Sequence, residues 1–207
     1  FCYRSQNARA AEVVAEAEQQ TGRRPLAIQA DLTRVEDRER FLETVQEHFG
    51  GLHILVNNAG TTRDTLAVRM GGEWDEVIDL DLTVPFRLSQ AAVRVMMKKY
   101  WGRIINIGSI GASVGLPGQA NYNAAKAGLE GLTRSLAQEY GRRGITVNTV
   151  NPGFVQTDLT EDAGDFVKDY VQNQSATGEF VVPEDVANLV AFLASDEAAA
   201  ITGQSIH

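Results

Sequence analysis

The feature that most constrains what this chain can fold into is a rhythm of short apolar runs and longer helical stretches. "PLAIQADL" (25–32), "LHILVNNAG" (52–60), "GRIINIGS" (102–109) and "GITVNTVNPG" (144–153) are rich in strand-forming residues and nearly continuously apolar. Around them lie stretches of helical length and periodicity, at about 7–20, 34–49, 73–100, 121–140 and 184–195. Strands with one wet face alternate in polarity. Continuously apolar ones are covered on both faces, as in a parallel sheet with helical crossovers. The alternation predicts an α/β fold built on a doubly wound, Rossmann-type parallel sheet. With no internal repeat, low-complexity tract or linker, the 207 residues read as a single domain spanning 1–207.

Each run ends in small or polar residues: Asp31, Asn57-Asn58-Ala59-Gly60, Gly108-Ser109 and Asn151-Pro152-Gly153. In open α/β sheets ligands bind outside the carboxyl ends of the strands. One such end is an ordinary turn; four together predict a ligand crevice. The stretch "GSIGASVGLPGQANYNAAKAG" (108–128) follows the third run and carries Ser109, Tyr122 and Lys126. Tyr122 and Lys126 stand at i and i+4, so on a helix they share a face. A free phenol has a pKa of about 10, and a nearby ammonium lowers it toward the range of a general acid. Taken alone, Y-x-x-x-K is weak evidence and reads sooner as an amphipathic helix with a half-buried tyrosine and an exposed lysine.

A net charge of −8 argues against a nucleic-acid binder, which neutralises phosphates with basic patches. The single cysteine, Cys2, excludes an internal disulfide framework and suits a reducing compartment. No apolar run reaches the length of a membrane span and no signal peptide precedes the first residue, so a soluble cytoplasmic protein is expected, without a metal site.

The segments "LVNNAG", "GRIINIGS", "QANYNAAKAG" and "NTVNPGFVQTD" have the order and spacing of the short-chain dehydrogenase/reductase family, which the chain resembles over essentially its whole length. "NNAGTTRDTLAVRM", "EWDEVIDLDLT" and "VAFLASDEAAAITGQSIH" resemble the bacterial branch that reduces 3-oxoacyl thioesters of acyl carrier protein. That resemblance implies NADPH-dependent ketone reduction in fatty-acid synthesis. Tyr122 would protonate the carbonyl oxygen, Lys126 would hold the nicotinamide ribose and acidify Tyr122, and Ser109 would orient the carbonyl. Asn58, Ala59 and Gly60 would line the cofactor groove, Asn57 would brace the sheet, and Asp31 would meet the adenine end. Pro152, Gly153, Val155 and Thr157 match the family segment that closes over the nicotinamide carboxamide. "FCYRS" resembles the family's second strand and the turn after it. There Arg4 would accommodate the 2′-phosphate of NADPH where an NAD enzyme carries an acid, although it also reads as an exposed arginine.

Two departures stand out. The family opens with a strand and a glycine-rich turn that binds pyrophosphate, and neither is present here. The expectation is therefore a piece of a longer protein, incomplete at both ends, with unpaired strand edges where the first strand would lie. The second departure is Asp81, in "VIDLDLT", where the family has the asparagine of a catalytic tetrad. Asp81 keeps the backbone carbonyl that would hold a water leading to the lysine, but a carboxylate lacks the amide donor and offsets the lysine's field. Asp79 reads as an ordinary exposed helix acid.

The acidic segment 158–182 occupies the family's variable substrate lid. Lys98, Lys99, Arg103, Arg142 and Arg143 fall at element ends expected to border the active-site mouth, and Arg143 matches a position implicated in docking of acyl carrier protein. The family implies a homotetramer, with Leu129, Leu132 and Leu136 either at an interface or in the core. Two alternatives remain open. One is a related reductase or dehydrogenase acting on acetoacetyl-CoA or small ketones and alcohols; the other is a non-catalytic binding subunit.

Overall fold

In the computed structural model, which describes residues 1–155, 171–173 and 175–207, the helices follow the apolar periodicity closely. The chain divides into two units, Phe1–Leu52 and His53–His207. The first unit consists of β1 (Cys2–Tyr3), α1 (Asn7–Thr21), β2 (Ile28–Gln29) and α2 (Val35–Phe49). β1 and β2 pair in parallel, Cys2 opposite Ile28, and parallel pairing needs a crossover, which α1 supplies. Both helices end on a left-handed glycine, Gly22 at φ 68° and Gly50 at φ 71°, whose N–H bonds back to Glu18 and Gln46. The run at 25–32 yields a strand of only two residues, because its partner β1 is no longer.

The second unit carries β3 (Ile54–Asn57), α3 (Gly72–Ile78), a π-helical turn (Asp79–Thr83), α4 (Val84–Met96), β4 (Gly102–Ile107) and α5 (Gly111–Val114). It continues with α6 (Ala120–Tyr140), β5 (Ile145–Val150), α7 (Pro183–Ala194) and β6 (Ser205–Ile206). Its four strands run parallel in the order β3-β4-β5-β6. Alternating side chains face opposite sides. Ile105 and Val150 pack with Leu193 of α7, whereas Asn106 and Thr149 bond Thr133 of α6. Helices thus cover both faces, the doubly wound pattern expected. β5 is buried along its whole length and β4 at all but its last residue. β3 differs: as an edge strand it exposes Ile54 (44%) and Val56 (39%) while Leu55 and Asn57 are buried.

The helix expected over 73–100 is not continuous. Pro85 has no N–H, so the carbonyl of Asp81, four residues earlier, has no α-helical donor, and the helix widens into the π-turn at Asp79–Thr83. Asp79 is half-buried in that turn rather than exposed. Leu129 and Leu136 are core residues of this chain, at 0% and 6% exposure. Among the described residues no helix is long and apolar enough to cross a membrane.

Candidate active site

The site assembles where β3, β4 and β5 end. Gly108 leaves β4 with its N–H on Val150 O (2.7 Å), and Ser109 N–H donates to Asn151 Oδ1 (3.1 Å). A Cβ at Gly108 would lie 1.9 Å from that Oδ1, so the approach of the two strand ends requires glycine. Asn151 is held in turn by its Nδ2 donating to Glu130 Oε1 (2.7 Å). Ser109 Oγ accepts the Gly111 N–H (3.0 Å), which leaves the hydroxyl proton free for another acceptor. Asn57 braces the sheet, its Nδ2 donating to Asn106 Oδ1 (2.8 Å) and Ser89 Oγ (3.2 Å).

α6 carries the other groups. Its first turn is anchored by Asn121, fully buried, whose Oδ1 accepts the Tyr122 N–H (2.8 Å) and whose Nδ2 donates to Arg63 O (3.2 Å) and Glu73 O (3.0 Å). In the sequence, only its adjacency to Tyr122 marks this residue. One turn on, Lys126 is 4% exposed and its Nζ lies 5.4 Å from the Tyr122 ring centroid. That Nζ donates to Ile107 O (3.0 Å) and stands 3.0 Å from Asp81 Oδ1. Asp81 is fully buried; its Oδ2 accepts the Thr61 N–H (2.9 Å), and its Oδ1 has the ion pair but no well-directed hydrogen bond.

Burial pushes the Asp81 carboxyl above the ordinary carboxylate range, against the pull of Lys126 and the Thr61 N–H. Tyr122 does not follow the expectation that Lys126 acidifies it. Burial raises the phenol above its ordinary value; a hydrogen bond with Ser109 pulls it down, and the carboxylates of Asp81 and Asp64 push it up again. Burial is the main cause, and the ammonium that would favour phenolate is in addition matched by the Asp81 carboxylate.

These groups open on one cavity of about 540 Å³. Of the residues expected there, Ser109, Tyr122, Lys126, Asp81, Asn58, Gly60, Pro152, Gly153 and Val155 line it, joined by Thr61, Thr62 and Arg63, which were not anticipated. Ala59 is not among the lining residues. Thr157 and most of the expected lid, 158–182, lie outside the described residues. Arg4 and Asp31 belong to the first unit, at the carboxyl ends of its paired strands. There the Thr33 hydroxyl, chiefly, lowers the Asp31 carboxyl, with Arg4 and Arg34 adding to the effect.

The basic residues expected at the site mouth are elsewhere. Lys98 and Lys99 precede β4, and Arg142 and Arg143 precede β5, so they sit at the amino ends of strands whose carboxyl ends carry the site. Six residues of strand separate the two ends, roughly 20 Å. Arg103 is no surface charge: it is 3% exposed, its guanidinium lies 4.4 Å from the Trp101 ring, and it donates to Ser195 O (3.2 Å). Arg143 stacks on Tyr100 and donates to its hydroxyl.

Comparison with known proteins gives a consistent picture. A family model described as enoyl-(acyl carrier protein) reductase matches residues 1–207. The 3-oxoacyl-[acyl-carrier-protein] reductase of Escherichia coli is 52% identical over 170 residues, 82% of this chain and 70% of the relative. That of Vibrio cholerae is 49% identical over 178 residues, 86% of this chain and 73% of the relative. That of Pseudomonas aeruginosa is 45% identical over 201 residues, 97% of this chain and 81% of the relative.

Proposed function

The chain belongs to the short-chain dehydrogenase/reductase family, and we propose that it reduces the ketone of a 3-oxoacyl thioester carried on acyl carrier protein, using NADPH, in cytoplasmic fatty-acid synthesis. The observation that carries this reading is the convergence of Ser109, Tyr122 and Lys126 on one cavity. The donor set fits a nicotinamide nucleotide. An ammonium has three protons; Lys126 directs one at Ile107 O and one toward Asp81, and the third remains for a ribose hydroxyl. Asn58, Ala59 and Gly60 would hold the same half of the cofactor, with Pro152, Gly153, Val155 and Thr157 at its carboxamide. Arg4 would meet the 2′-phosphate and Asp31 the adenine end. In this reading the first and second units are parts of one dinucleotide-binding and catalytic domain, 1–207.

When bound, NADPH supplies the hydride. The protein supplies the proton and the orientation. The Ser109 hydroxyl, which otherwise bonds Tyr122, would turn its proton to the ketone oxygen, and the Tyr122 phenol stands as general acid to the same atom as it takes on negative charge. Two donors preset around one oxygen need no reorganisation as the charge develops, and a phenol held protonated by burial is the correct form at the start of reduction. The phenolate left behind regains its proton from solvent.

Arg143, with Lys98 and Lys99, is the candidate carrier-docking cluster. From the opposite strand ends it would serve a neighbouring subunit's site in a homotetramer. The test is NADPH consumption with a 3-oxoacyl thioester linked to carrier protein, to CoA, or replaced by a free ketone, each with and without Tyr122→Phe. Carrier-linked turnover that disappears in the variant is the expected result. Faster turnover of the CoA-linked or free ketone would shift the substrate class. Silence with NADPH and NADH alike would overturn the reading in favour of a binding subunit.

A further inference from the structure

Asp81 lines the site, yet the reductase reading makes no use of its carboxylate. Its carboxylate is fully buried, is fixed by the Thr61 N–H, and lies 3.0 Å from the Lys126 ammonium, which itself stands 5.4 Å from the Tyr122 ring centroid. Gly60 is shaped around it: a Cβ there would meet Asp81 Oδ1 at 2.5 Å. This carboxylate is therefore built in, not a side chain that swings through.

We propose that Asp81 is a positioning residue for charge: by holding Lys126 in a neutral pair it keeps Tyr122 a phenol, which commits the site to protonating ketones and away from deprotonating alcohols. The proposal rests on the reductase reading for its direction of chemistry, but the charge argument stands on the geometry alone. Alcohol oxidation needs a phenolate to take the hydroxyl proton; ketone reduction needs the phenol. A lone ammonium favours phenolate by about 1–3 pH units, and an opposite charge in contact with that ammonium removes most of this.

The other charges around Tyr122 do not replace the missing field. On α3, the Glu73 carboxylate accepts the Gly71 N–H and Glu76 is paired with Arg63, whose guanidinium is thereby engaged. Asp75 on α3 and Asp79 on the π-turn add negative charge. Asp64 accepts from Gln119 and raises the phenol, as Asp81 does. α5 and β5 carry no ionisable side chain; on α6 itself Glu130 is held by Asn151. Arg87 and Arg94 lie on α4, and Arg142 and Arg143 beyond the far end of α6.

The test compares the full chain with Asp81→Asn and, as a second removal of the charge, Asp81→Ala. With ¹³Cζ-labelled tyrosine, the Tyr122 resonance is assigned by its loss in Tyr122→Phe and titrated by NMR. Both Asp81 variants should lower its midpoint by about 1–3 pH units. In turnover assays, the alkaline limb for oxidation of a 3-hydroxyacyl thioester should move down by the same interval, so oxidation near neutrality rises about tenfold per unit. Asp64→Asn should lower the midpoint by less. An unchanged Tyr122 midpoint in either folded Asp81 variant overturns the proposal, even in an active enzyme. A lowered midpoint upholds it, while absent turnover in the same preparation would sink only the reductase reading.

Discussion

Lys126→Met measures how much of this site's stability is tied to one buried ion pair. Methionine occupies much of the volume of the lysine stem, so the change removes the charge and leaves the packing nearly intact. Two losses follow. Ile107 O loses its donor, which costs about 1 kcal/mol independent of pH. Asp81 is left as an unpaired buried carboxylate, a state that costs about 3–5 kcal/mol when one partner of a buried pair is deleted. That second cost is capped, because Asp81 can instead take up a proton, at about 1.36 kcal/mol for each pH unit by which the ambient pH exceeds the ordinary carboxylate pKa. The sign follows from burial. The folded carboxyl already sits above its ordinary value, and losing Lys126, which pulls it down, raises it further. Between the ordinary carboxylate pKa and the folded one, the folded state binds more protons than the unfolded. Stability is therefore full below the ordinary value and falls as pH rises through that window. Urea denaturation from about pH 5 to about pH 8 should show the variant close to wild type at the acid end, apart from the ~1 kcal/mol. It should lose about 3 kcal/mol at the alkaline end. Adding Asp81→Asn should flatten the pH dependence and recover most of the loss. A Lys126→Met deficit that is constant with pH, or that persists in the double variant, would show that the pair carries no such energy.

Three further outcomes follow from local geometry. Gly108→Ala, whose Cβ would lie 1.9 Å from Asn151 Oδ1, should cost about 2–4 kcal/mol and depress turnover by dislodging the Ser109 N–H from its acceptor; Gly131→Ala on α6, with nothing within 4 Å, should instead gain about 0.5–1 kcal/mol, both read by urea melts. Arg103→Ala should cost about 2–3 kcal/mol through lost packing on Trp101, whereas removing its partner Asp196, 85% exposed at the side chain, should cost less than about 0.5 kcal/mol. Arg4→Ala should raise the KM for NADPH about tenfold or more while leaving that for NADH unchanged; equal KM changes would remove Arg4 from the cofactor site.

What was legible in the sequence is what neighbouring residues decide. Helical periodicity is local, so the reading of 121–140 meets Ala120–Tyr140 almost residue for residue. Continuous apolarity correctly marks β4 and β5, and in β3 it accompanies an edge strand that exposes Ile54 and Val56, in line with the unpaired strand edges expected. Pro85 was a readable warning that 73–100 would not run as one helix, since its missing N–H strands a carbonyl wherever it falls inside a turn. Ser109, Tyr122 and Lys126 stand out through the family resemblance of the segments that carry them, since the Y-x-x-x-K spacing alone also fits an ordinary amphipathic helix. The Asp81–Lys126 contact joins residues on different elements, and no spacing rule reports whether a carboxylate stands 3.0 Å from an ammonium or faces solvent. The basic cluster is a different kind of miss, because the sequence contained the correction. In a parallel sheet every strand points the same way, so residues preceding a strand lie at the opposite end from residues following one. Lys98 and Lys99 precede β4 and Ser109 follows it. Once the sheet is read as parallel, a basic patch on those lysines cannot border Ser109 of the same chain. Carrier docking there then becomes a claim about the assembly, which is testable by whether Lys98, Lys99 and Arg143 variants lose carrier-linked turnover while keeping that of a free ketone.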